Sequence, residues 1–431
     1  MEDGRTQPTS ERRDTFVHTA AVFGASLAVN GANFAFHFGA VRLLGLSAYS
    51  ALAALLGVVL ICSAPANVLQ AIVTAVVAEA ASTRAESAVI ARRITKGALA
   101  VSVAIIVLGA AVSKPLASYL SLNDSLPVIL AFVSIGIAFS LAALRGILQG
   151  EQRFGTFALS LICEAFGNFV FGLGFIVWFG GVRSAILGNV CAVLSAFTAS
   201  VIWTWRKVTA IPLTVDVRRL LAKFVGTSIA FGGIAAMSWF DVILVRHLML
   251  ASDAGLYAAL SIVGKTILFS VSSLPLVLLA KASRLSGQKR ATRPLFIGMF
   301  ATGMTIILVE LSTINLFPAA ILRALAGPAA TAAAPYILLY AVGMCSLAMT
   351  TIVANYGIGT HRFGFVVPLI LVEAGEIAGI SLRHSNLFDV VSIVAIGHST
   401  ALVLAALAVV AGPRIPRAFH LFGQDKRLGA A

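Results

Sequence analysis

Long apolar runs, separated by short charged or Pro/Gly-rich breaks, dominate the pattern of hydrophobic and polar positions along the chain. A transmembrane helix needs about 20 predominantly apolar residues. The breaks leave twelve runs, so we predict twelve membrane-spanning helices, numbered spans 1 to 12. The predicted spans begin near Phe16, Ala51, Gly97, Leu126, Phe157, Ala185, Phe224, Gly255, Leu295, Pro335, Phe365 and Val390.

The first two spans carry two further expectations. The apolar run Phe16–Phe38 has 23 residues, which is longer than the about 7–15 residues of a signal-peptide core. It therefore predicts a first span that is retained rather than a cleaved leader. In span 2, Pro65 predicts a kink or an interruption of the helix, because proline removes one helical hydrogen bond.

Composition supports a membrane protein and excludes several other classes. Hydrophobic types make up 59% of the 431 residues and charged types only 11%; the mean hydropathy is +0.98. A soluble domain is nearer half apolar and about a quarter charged. This composition excludes a soluble enzyme, a nucleic-acid binder and a disordered protein. Twelve spans of about 20 residues also leave only about 15 residues for each loop or tail, too few for a soluble catalytic domain.

The distribution of basic residues tests the number of spans. If the termini and the even-numbered loops share one side of the membrane, that side holds 24 of the 31 Lys and Arg residues. One further residue, Lys265, lies inside span 8. The positive-inside rule then places both termini in the cytoplasm. Because basic residues cluster between spans rather than on one polar face, the net charge of +14 does not indicate nucleic-acid binding. The other side has six isolated basic residues: Arg42, Lys114, Arg183, Arg246, Arg323 and Arg383.

No sequence feature indicates a cofactor, a metal centre or an ATPase. The four cysteines, Cys62, Cys163, Cys191 and Cys345, lie in apolar runs without paired spacing. They are interpreted as small core residues rather than as metal ligands or disulfide partners. The chain has no Gly-rich loop ending in Gly-Lys-Ser/Thr. We therefore expect a transporter without its own ATPase rather than an enzyme.

The two halves of the chain match at offsets of 204 to 209 residues. Each predicted half has six spans and enters the membrane from the same side, so the repeats are parallel. Two such bundles would enclose a cleft at the middle of the membrane. Rocking of one bundle against the other would open this cleft to each side of the membrane in turn. The matching positions are Arg153-Phe154-Gly155 with Arg362-Phe363-Gly364, Glu164 with Glu373, Lys114 with Arg323, Pro127 with Pro335, and Arg42 with Arg246.

The predicted fold is an all-α polytopic membrane protein with two parallel six-helix repeats around a central cleft. Residues 1–205 form the N-terminal six-helix bundle, with spans from about residue 16, and 224–412 form the C-terminal one. Residues 206–223 form a basic cytoplasmic linker, and 413–431 form a basic cytoplasmic tail.

Three short segments carry a family resemblance. They are Arg145–Gly155 after span 4, Trp239–Val245 in span 7 with its acidic Asp241, and Asp253–Ala259 at the start of span 8. Together they resemble bacterial oligosaccharide flippases of the multidrug/oligosaccharidyl-lipid/polysaccharide exporter superfamily. The resemblance extends over roughly Phe16 to Gly412. Ser283 departs from the proline that this family often has, and twelve spans differ from the fourteen usual in the lipid II branch.

The resemblance implies a fold, a cargo and a location. The fold is two six-helix bundles facing a cleft, in the bacterial cytoplasmic membrane. The cargo is a glycan on a polyprenyl (pyro)phosphate, moved from the inner to the outer leaflet for cell-envelope polysaccharide assembly. Its partners would be membrane lipids and glycan polymerase or ligase proteins. Without an ATPase motif, ion coupling or downhill flow would drive transport.

Basic residues within the membrane are the first candidates for cargo binding, because a charge at mid-bilayer costs about 2.5–3.5 kcal/mol on insertion scales. Lys265 lies ten residues into span 8, about 15 Å deep at the helical rise, and could attract a phosphate. The alternative is a lysine paired with an acid on another helix. Arg42 and Arg246, at the outer ends of spans 1 and 7, could bind phosphate or simply anchor the helices at the interface.

A polar stripe on span 1 is a further candidate for cargo binding. Asn30, Asn33 and His37 fall at i, i+3 and i+7 and so share one helix face. Polar side chains inside the membrane should face protein or water. We therefore expect this stripe to line the cleft; a single histidine is also often just a hydrogen-bond donor.

Five acidic residues are candidates for ion coupling. Glu164 and Glu373 are equivalent within the repeat, and Glu376 lies one turn after Glu373 on the same face. Neighbouring carboxyl groups in a low dielectric favour sharing a proton. They could equally form hydrogen bonds that hold helices together. Asp241 and Glu310 lie in the outer halves of spans 7 and 9, and Asp241 could pair locally with Arg246.

Three other functions remain open. A drug or cation exporter of the same superfamily would favour an acidic cleft, and Lys265 argues against one. A membrane-embedded glycosyl- or acyltransferase would need a catalytic acid or base on a substantial loop, and the predicted outer loops are short. A structural scaffold for an assembly complex would tolerate removal of the charges of Lys265 or Glu373.

Overall fold

The computed structural model describes residues 9–80, 87–204, 217–288 and 290–411. These residues form α-helices, two short 3-10 helices (Pro328–Ala333 and Phe363–Phe365) and no strand. The first half contains α1 (Thr9–Ala80), α2 (Ser87–Tyr119), α3 (Leu126–Gly150), α4 (Phe154–Phe179) and α5 (Gly181–Thr204). The second half contains α6 (Val217–Met237), α7 (Phe240–Leu248), α8 (Ala251–Val271), α9 (Ser273–Gly287), α10 (Arg293–Leu316), α11 (Pro318–Ala326), α12 (Ala334–Gly359), α13 (Val366–Leu382) and α14 (Leu387–Ala411).

Helix α1 contains spans 1 and 2, and the chain reverses between them at Gly45. Gly45 has φ 76° and ψ 166°, a conformation that glycine adopts without steric cost. His37 Nδ1 and the Tyr49 hydroxyl oxygen are 2.9 Å apart, whereas twelve residues of straight helix would separate them by about 18 Å. Pro65, where we predicted a kink or interruption, stays within helical backbone, since Gly45 is the one non-helical position in α1.

The predicted number of spans is confirmed. Ten stretches of the described residues are long and apolar enough to cross a membrane, or eleven if α6 and α7, which are bent by 48°, form one span. The first stretch, Leu27–Thr74, contains the reversal and therefore holds two spans, which brings the number to twelve. Large apolar side chains such as Trp178 and Leu382 are 78% and 83% exposed. An apolar outer surface of this kind is suited to contact with lipid tails.

The parallel repeat is visible in the backbone. Gln152 and His361, which are 209 residues apart, both have φ 59° in the left-handed region. The amide of the next residue in each half, Arg153 or Arg362, donates to the carbonyl five residues earlier, at 2.9 and 2.8 Å. The loops after spans 4 and 10 therefore have the same turn.

The two matching arginines also have the same structural role. The Arg153 guanidinium donates to the carbonyl of Trp203 at the end of α5, at 2.8 Å. The Arg362 guanidinium donates to the carbonyl of Val410 at the end of α14, at 3.1 Å. Each arginine thus satisfies carbonyls that the last helix of its half leaves unpaired.

The central and peripheral helices of the two halves also correspond. The apolar windows of α3 and α12 are 67% and 72% buried, whereas those of α2 and α10 are 17% and 11% buried. One helix of each half is therefore surrounded by protein and its neighbour faces lipid. Residues 206–216 of the predicted linker and the predicted tail 413–431 lie outside the described residues. Residues 217–223 of the predicted linker belong to α6, and the domain boundaries stay predictions.

Candidate functional site

A cavity of about 450 Å³, with apolar and polar side chains in its wall, lies among α1, α3, α4 and α5. Trp239 and Phe269 of the second half close one wall. Five carboxamide side chains line the cavity: Asn33, Asn67, Gln70, Asn168 and Asn189. A concave site with several polar side chains among membrane helices is suited to holding the hydrophilic part of a molecule that crosses the bilayer.

The charged groups in this cavity neutralise each other. Arg145 Nη1 and Glu164 Oε2 are 2.6 Å apart, and the two side chains are 10% and 31% exposed. Arg145 also donates from Nε to the Ser160 hydroxyl at 3.0 Å and from Nη2 to the Ser160 carbonyl at 2.8 Å. The prediction that Arg145 follows span 4 is wrong, because it lies inside α3 and is buried. The pair therefore adds hydrogen-bonding groups to the cavity and no net charge.

The predicted polar stripe of span 1 divides between two environments. Asn33 and His37 line the cavity. Asn30 instead donates from Nδ2 to the Ser272 hydroxyl, at 3.0 Å, at the break between α8 and α9. Asn30 thus joins span 1 to the second half of the molecule.

Asp241 is buried at the first turn of α7, just after the break in span 7. Its Oδ2 accepts hydrogen bonds from the hydroxyls of Tyr257, at 2.7 Å, and Tyr340, at 3.1 Å. The start of a helix favours a negative charge because its amide groups are unpaired. The structure therefore pairs Asp241 with two tyrosines and not with Arg246, the local partner considered from the sequence.

Glu373 and Glu376 lie in the same buried region and are 9% and 5% exposed. Glu376 Oε2 is 3.7 Å from Nε2 of His398, which contacts the Met237 carbonyl at 3.1 Å, at the end of α6. Glu373 Oε2 and Glu376 Oε2 have no hydrogen-bond partner within the described residues. We call Asp241, Glu373, Glu376 and His398 the acidic cluster.

Lys265 lies next to the acidic cluster and is 5% exposed. Its ammonium group donates to the Ser261 hydroxyl and lies 3.4 Å from the centroid of the Trp239 ring, a cation–π contact. Trp239 lines the cavity and Lys265 does not. In this conformation Trp239 therefore separates the ammonium group from the cavity.

Arg42 and Arg246, which match in the repeat, each contact the opposite half. Arg42 donates to the carbonyl of Ala324 in α11 and lies 4.6 Å above the Phe38 ring centroid. Arg246 donates to the carbonyls of Leu120 and Ser121, both at 3.1 Å, after α2. These reciprocal contacts hold the halves together at the ends of spans 1 and 7. We call this end the arginine end.

Glu310 lies apart from the acidic cluster. Its carboxylate accepts a hydrogen bond from Ser270, at 3.1 Å. It borders an apolar groove of about 320 Å³ between α1, α8, α10 and α11. The structure thus does not bring together all five acidic candidates: Glu164 lies in the cavity, Glu310 lies in the groove, and the other three share the acidic cluster.

Several polar residues of this region were missed by sequence reasoning. The signal for some of them was helical spacing of polar types: Asn67 and Gln70 are three residues apart, and Glu164 and Asn168 are four apart. Nothing in the sequence linked the tyrosines or His398 to the acids, because their contacts cross between separate spans. The missed residues are Asn67, Gln70, Asn168, Asn189, Tyr257, Tyr340 and His398.

Comparison with solved structures identifies the fold. An inward-facing multidrug-resistance MATE transporter of the MOP superfamily matches with a TM-score of 0.72 and 13% identity, over 91% of this chain and 97% of that one. The lipid II flippase MurJ, in an inward closed conformation, matches with a TM-score of 0.71 and 12% identity, over 92% and 87%. The chain has the fold of these transporters.

An outward-facing MATE transporter of the MOP superfamily also matches, with a TM-score of 0.63 and 13% identity, over 94% of this chain and 96% of that one. No protein-family model and no curated protein matches the sequence. Identities of 12–13% show the shared fold, and the residues of the site must indicate the cargo.

Proposed function

We propose that this protein is an alternating-access flippase for a polyprenyl-(pyro)phosphate-linked oligosaccharide. It moves this cargo from the inner to the outer leaflet of the bacterial cytoplasmic membrane, with both termini in the cytoplasm, for cell-envelope polysaccharide assembly. The polyprenyl tail stays in lipid, and the hydrophilic head passes through the cleft. The shared fold with MurJ supports this type of cargo.

The ion pair Arg145–Glu164 is the observation that favours a flippase over a cation exporter. A cation needs an acidic group that is free to pair with it, and Glu164 is the acidic residue lining the cavity. Its carboxylate is already 2.6 Å from a guanidinium. Binding a cation there would leave a buried arginine without its partner, which is costly. A hydrophilic head without positive charge avoids that cost.

The acidic cluster is the proposed coupling site. Glu373 and Glu376 have buried oxygens without hydrogen-bond partners, and Asp241 lies close enough to affect both electrostatically. Three buried carboxyl groups in one region favour uptake of a proton, because protonation reduces their mutual repulsion. We assign Glu164 to the cavity ion pair and give Glu310 no coupling role.

Lys265 is the proposed phosphate contact. It is a buried cation at the wall between the cavity and the acidic cluster. Movement of Trp239 during the change to the outward-facing state would expose the ammonium group to the phosphate. Arg42 and Arg246 become available as further phosphate contacts only when the arginine end opens, because main-chain carbonyls occupy them in the closed form.

A drug or cation exporter is the second candidate, because the MATE and MurJ structures match about equally well. One experiment separates the two. The protein is depleted in its native cell, and lipid-linked glycans are assayed by leaflet. Accumulation of a completed polyprenyl-linked glycan on the cytoplasmic face supports the flippase. Unchanged glycan lipids with altered drug sensitivity support the exporter, and an intermediate lacking one sugar indicates an enzyme.

A further inference from the structure

We infer that the cavity of the N-terminal half binds uncharged sugar residues of the cargo through its carboxamide side chains, while the phosphate stays outside this cavity. The inference rests on the proposed flippase function and adds the part of the cargo that the cavity recognises. It assigns sugar contacts to Asn33, Asn67 and Gln70, with Asn168 and Asn189 as a second group.

Unused hydrogen-bonding capacity is the first observation. Asn33 and Asn67 line the cavity, and neither side chain has a hydrogen-bond partner within the described part of the chain. Gln70 donates from Nε2 to Gln149 Oε1 at 3.0 Å, which leaves its side-chain oxygen Oε1 free to accept. A carboxamide offers both a donor and an acceptor, as a sugar hydroxyl does. These side chains therefore match a ligand that is rich in hydroxyl or acetamido groups.

The second group of carboxamides is held in a fixed orientation. The Ser134 hydroxyl donates to Asn189 Oδ1 at 2.6 Å, and Asn189 Nδ2 donates to Asn168 Oδ1 at 3.3 Å. Linked hydrogen bonds fix which end of each amide faces the ligand. Such preorganisation favours selective binding, because less side-chain freedom is lost when the ligand arrives.

Charge is the third observation. Arg145 and Glu164 neutralise each other, and Trp239 lies between Lys265 and the cavity. An anionic phosphate or a cationic drug would therefore find no free counter-charge among the described residues that line the cavity. The volume of about 450 Å³ falls within the roughly 300–1,000 Å³ of small-molecule sites. The cavity thus suits a neutral polar group such as one or two sugar residues.

The test compares two lipid probes on the purified full-length protein in nanodiscs. The first is the polyprenyl-linked glycan extracted from the depleted cells. The second is the same extract after hydrolysis of the sugar–phosphate bond, which removes the glycan and leaves the polyprenyl (pyro)phosphate. Binding is measured for the wild type and for the double variant Asn33→Leu/Asn67→Leu. Gln288→Leu, an exposed carboxamide outside the cavity, serves as the matched control.

We expect the wild type and Gln288→Leu to bind the intact extract roughly tenfold more tightly than the hydrolysed one. The double variant should bind both probes equally while its affinity for the hydrolysed extract stays unchanged. Thermal stability equal to wild type would show that the variant folds. Equal binding of both probes by the wild type, or a preference kept by the double variant, would overturn the inference while leaving the flippase function intact. Binding of tetraphenylphosphonium but of neither lipid would instead overturn the proposed function.

Discussion

Two glutamates at equivalent positions of the repeat, Glu164 and Glu373, have different environments. Glu164 faces the cavity and pairs with Arg145. The position 209 residues after Arg145 is Ala354, so the second half lacks the matching arginine. Glu373 is buried, and its Oε2 has no hydrogen-bond partner within the described residues. The difference between Arg145 and Ala354 therefore leaves Glu164 neutralised by an arginine and Glu373 without an equivalent partner.

The backbone around the two glutamates also differs. Span 7 is broken between α6 and α7, and the break brings the Met237 carbonyl and Asp241 into the acidic cluster. Its repeat counterpart, span 1, is helical up to Gly45. Duplication therefore preserved the helix order and the Arg153 and Arg362 turns, while side chains inside the halves diverged. This difference supports the proposal that the first half binds the sugars of the cargo, while the second half holds the coupling site and the phosphate contact Lys265.

Reversing the charge of Lys265 is expected to give the largest effect. Lys265→Glu would add a carboxylate beside the acidic cluster and repel a phosphate, so transport should be lost. Lys265→Ala should lower the transport rate roughly tenfold or more, since a charged hydrogen bond contributes about 1.5–3 kcal/mol. Flipping of a lipid-linked glycan in proteoliposomes measures both. Normal transport by the alanine and glutamate variants would rule out a phosphate role for Lys265.

Removing the arginine of the cavity should give the next largest effect, and on stability. Arg145→Met leaves Glu164 without its counter-charge, which should lower the free energy of unfolding by about 2–3 kcal/mol. Arg145→Met/Glu164→Leu should recover most of the loss, because no lone charge remains. Thermal unfolding in detergent measures both variants. A single variant as stable as the wild type would show that the ion pair does not stabilise the first half.

Loosening the arginine end should have the smallest effect. Arg42→Ala and Arg246→Ala each remove hydrogen bonds between the halves, which should favour opening of that end by about 1 kcal/mol. Ala51→Cys, at a position that is 3% exposed, reports opening through its reaction with a membrane-impermeant maleimide. Arg383→Ala, an isolated arginine at the end of α13, is the matched control. If labelling increases equally in Arg383→Ala, the hydrogen bonds of Arg42 and Arg246 do not keep the arginine end closed.

Much of the fold could be predicted from the sequence, because lipid imposes a minimum apolar length on every span. Helix α3 begins at Leu126 as predicted, and the 209-residue offset marks two turns with the same backbone. The reversal at Gly45 falls between predicted spans 1 and 2. The breaks at Trp239 and Ser272 were not predicted, since each lies inside one apolar run. Hydropathy also gives no information on which side of a span faces lipid when both sides are apolar.

The candidate site was predictable only in part for the same reason. Polar residues within spans were recognised as candidates, and Glu373, Glu376 and Asp241 do lie together. Their tyrosine and histidine partners come from α8, α12 and α14. Such contacts depend on how helices pack, and spacing within one span cannot reveal them.

The central proposal is that the acidic cluster of the second half couples transport to an ion, while the cavity of the first half holds the sugars of the cargo. The most direct measurement compares Glu376→Gln with Glu164→Gln in proteoliposomes, following flipping of the lipid-linked glycan with and without an imposed ion gradient. We expect Glu376→Gln to equilibrate the glycan lipid between leaflets but to lose its response to the gradient, while Glu164→Gln keeps that response. A gradient response that persists in Glu376→Gln and disappears in Glu164→Gln would contradict the division of roles.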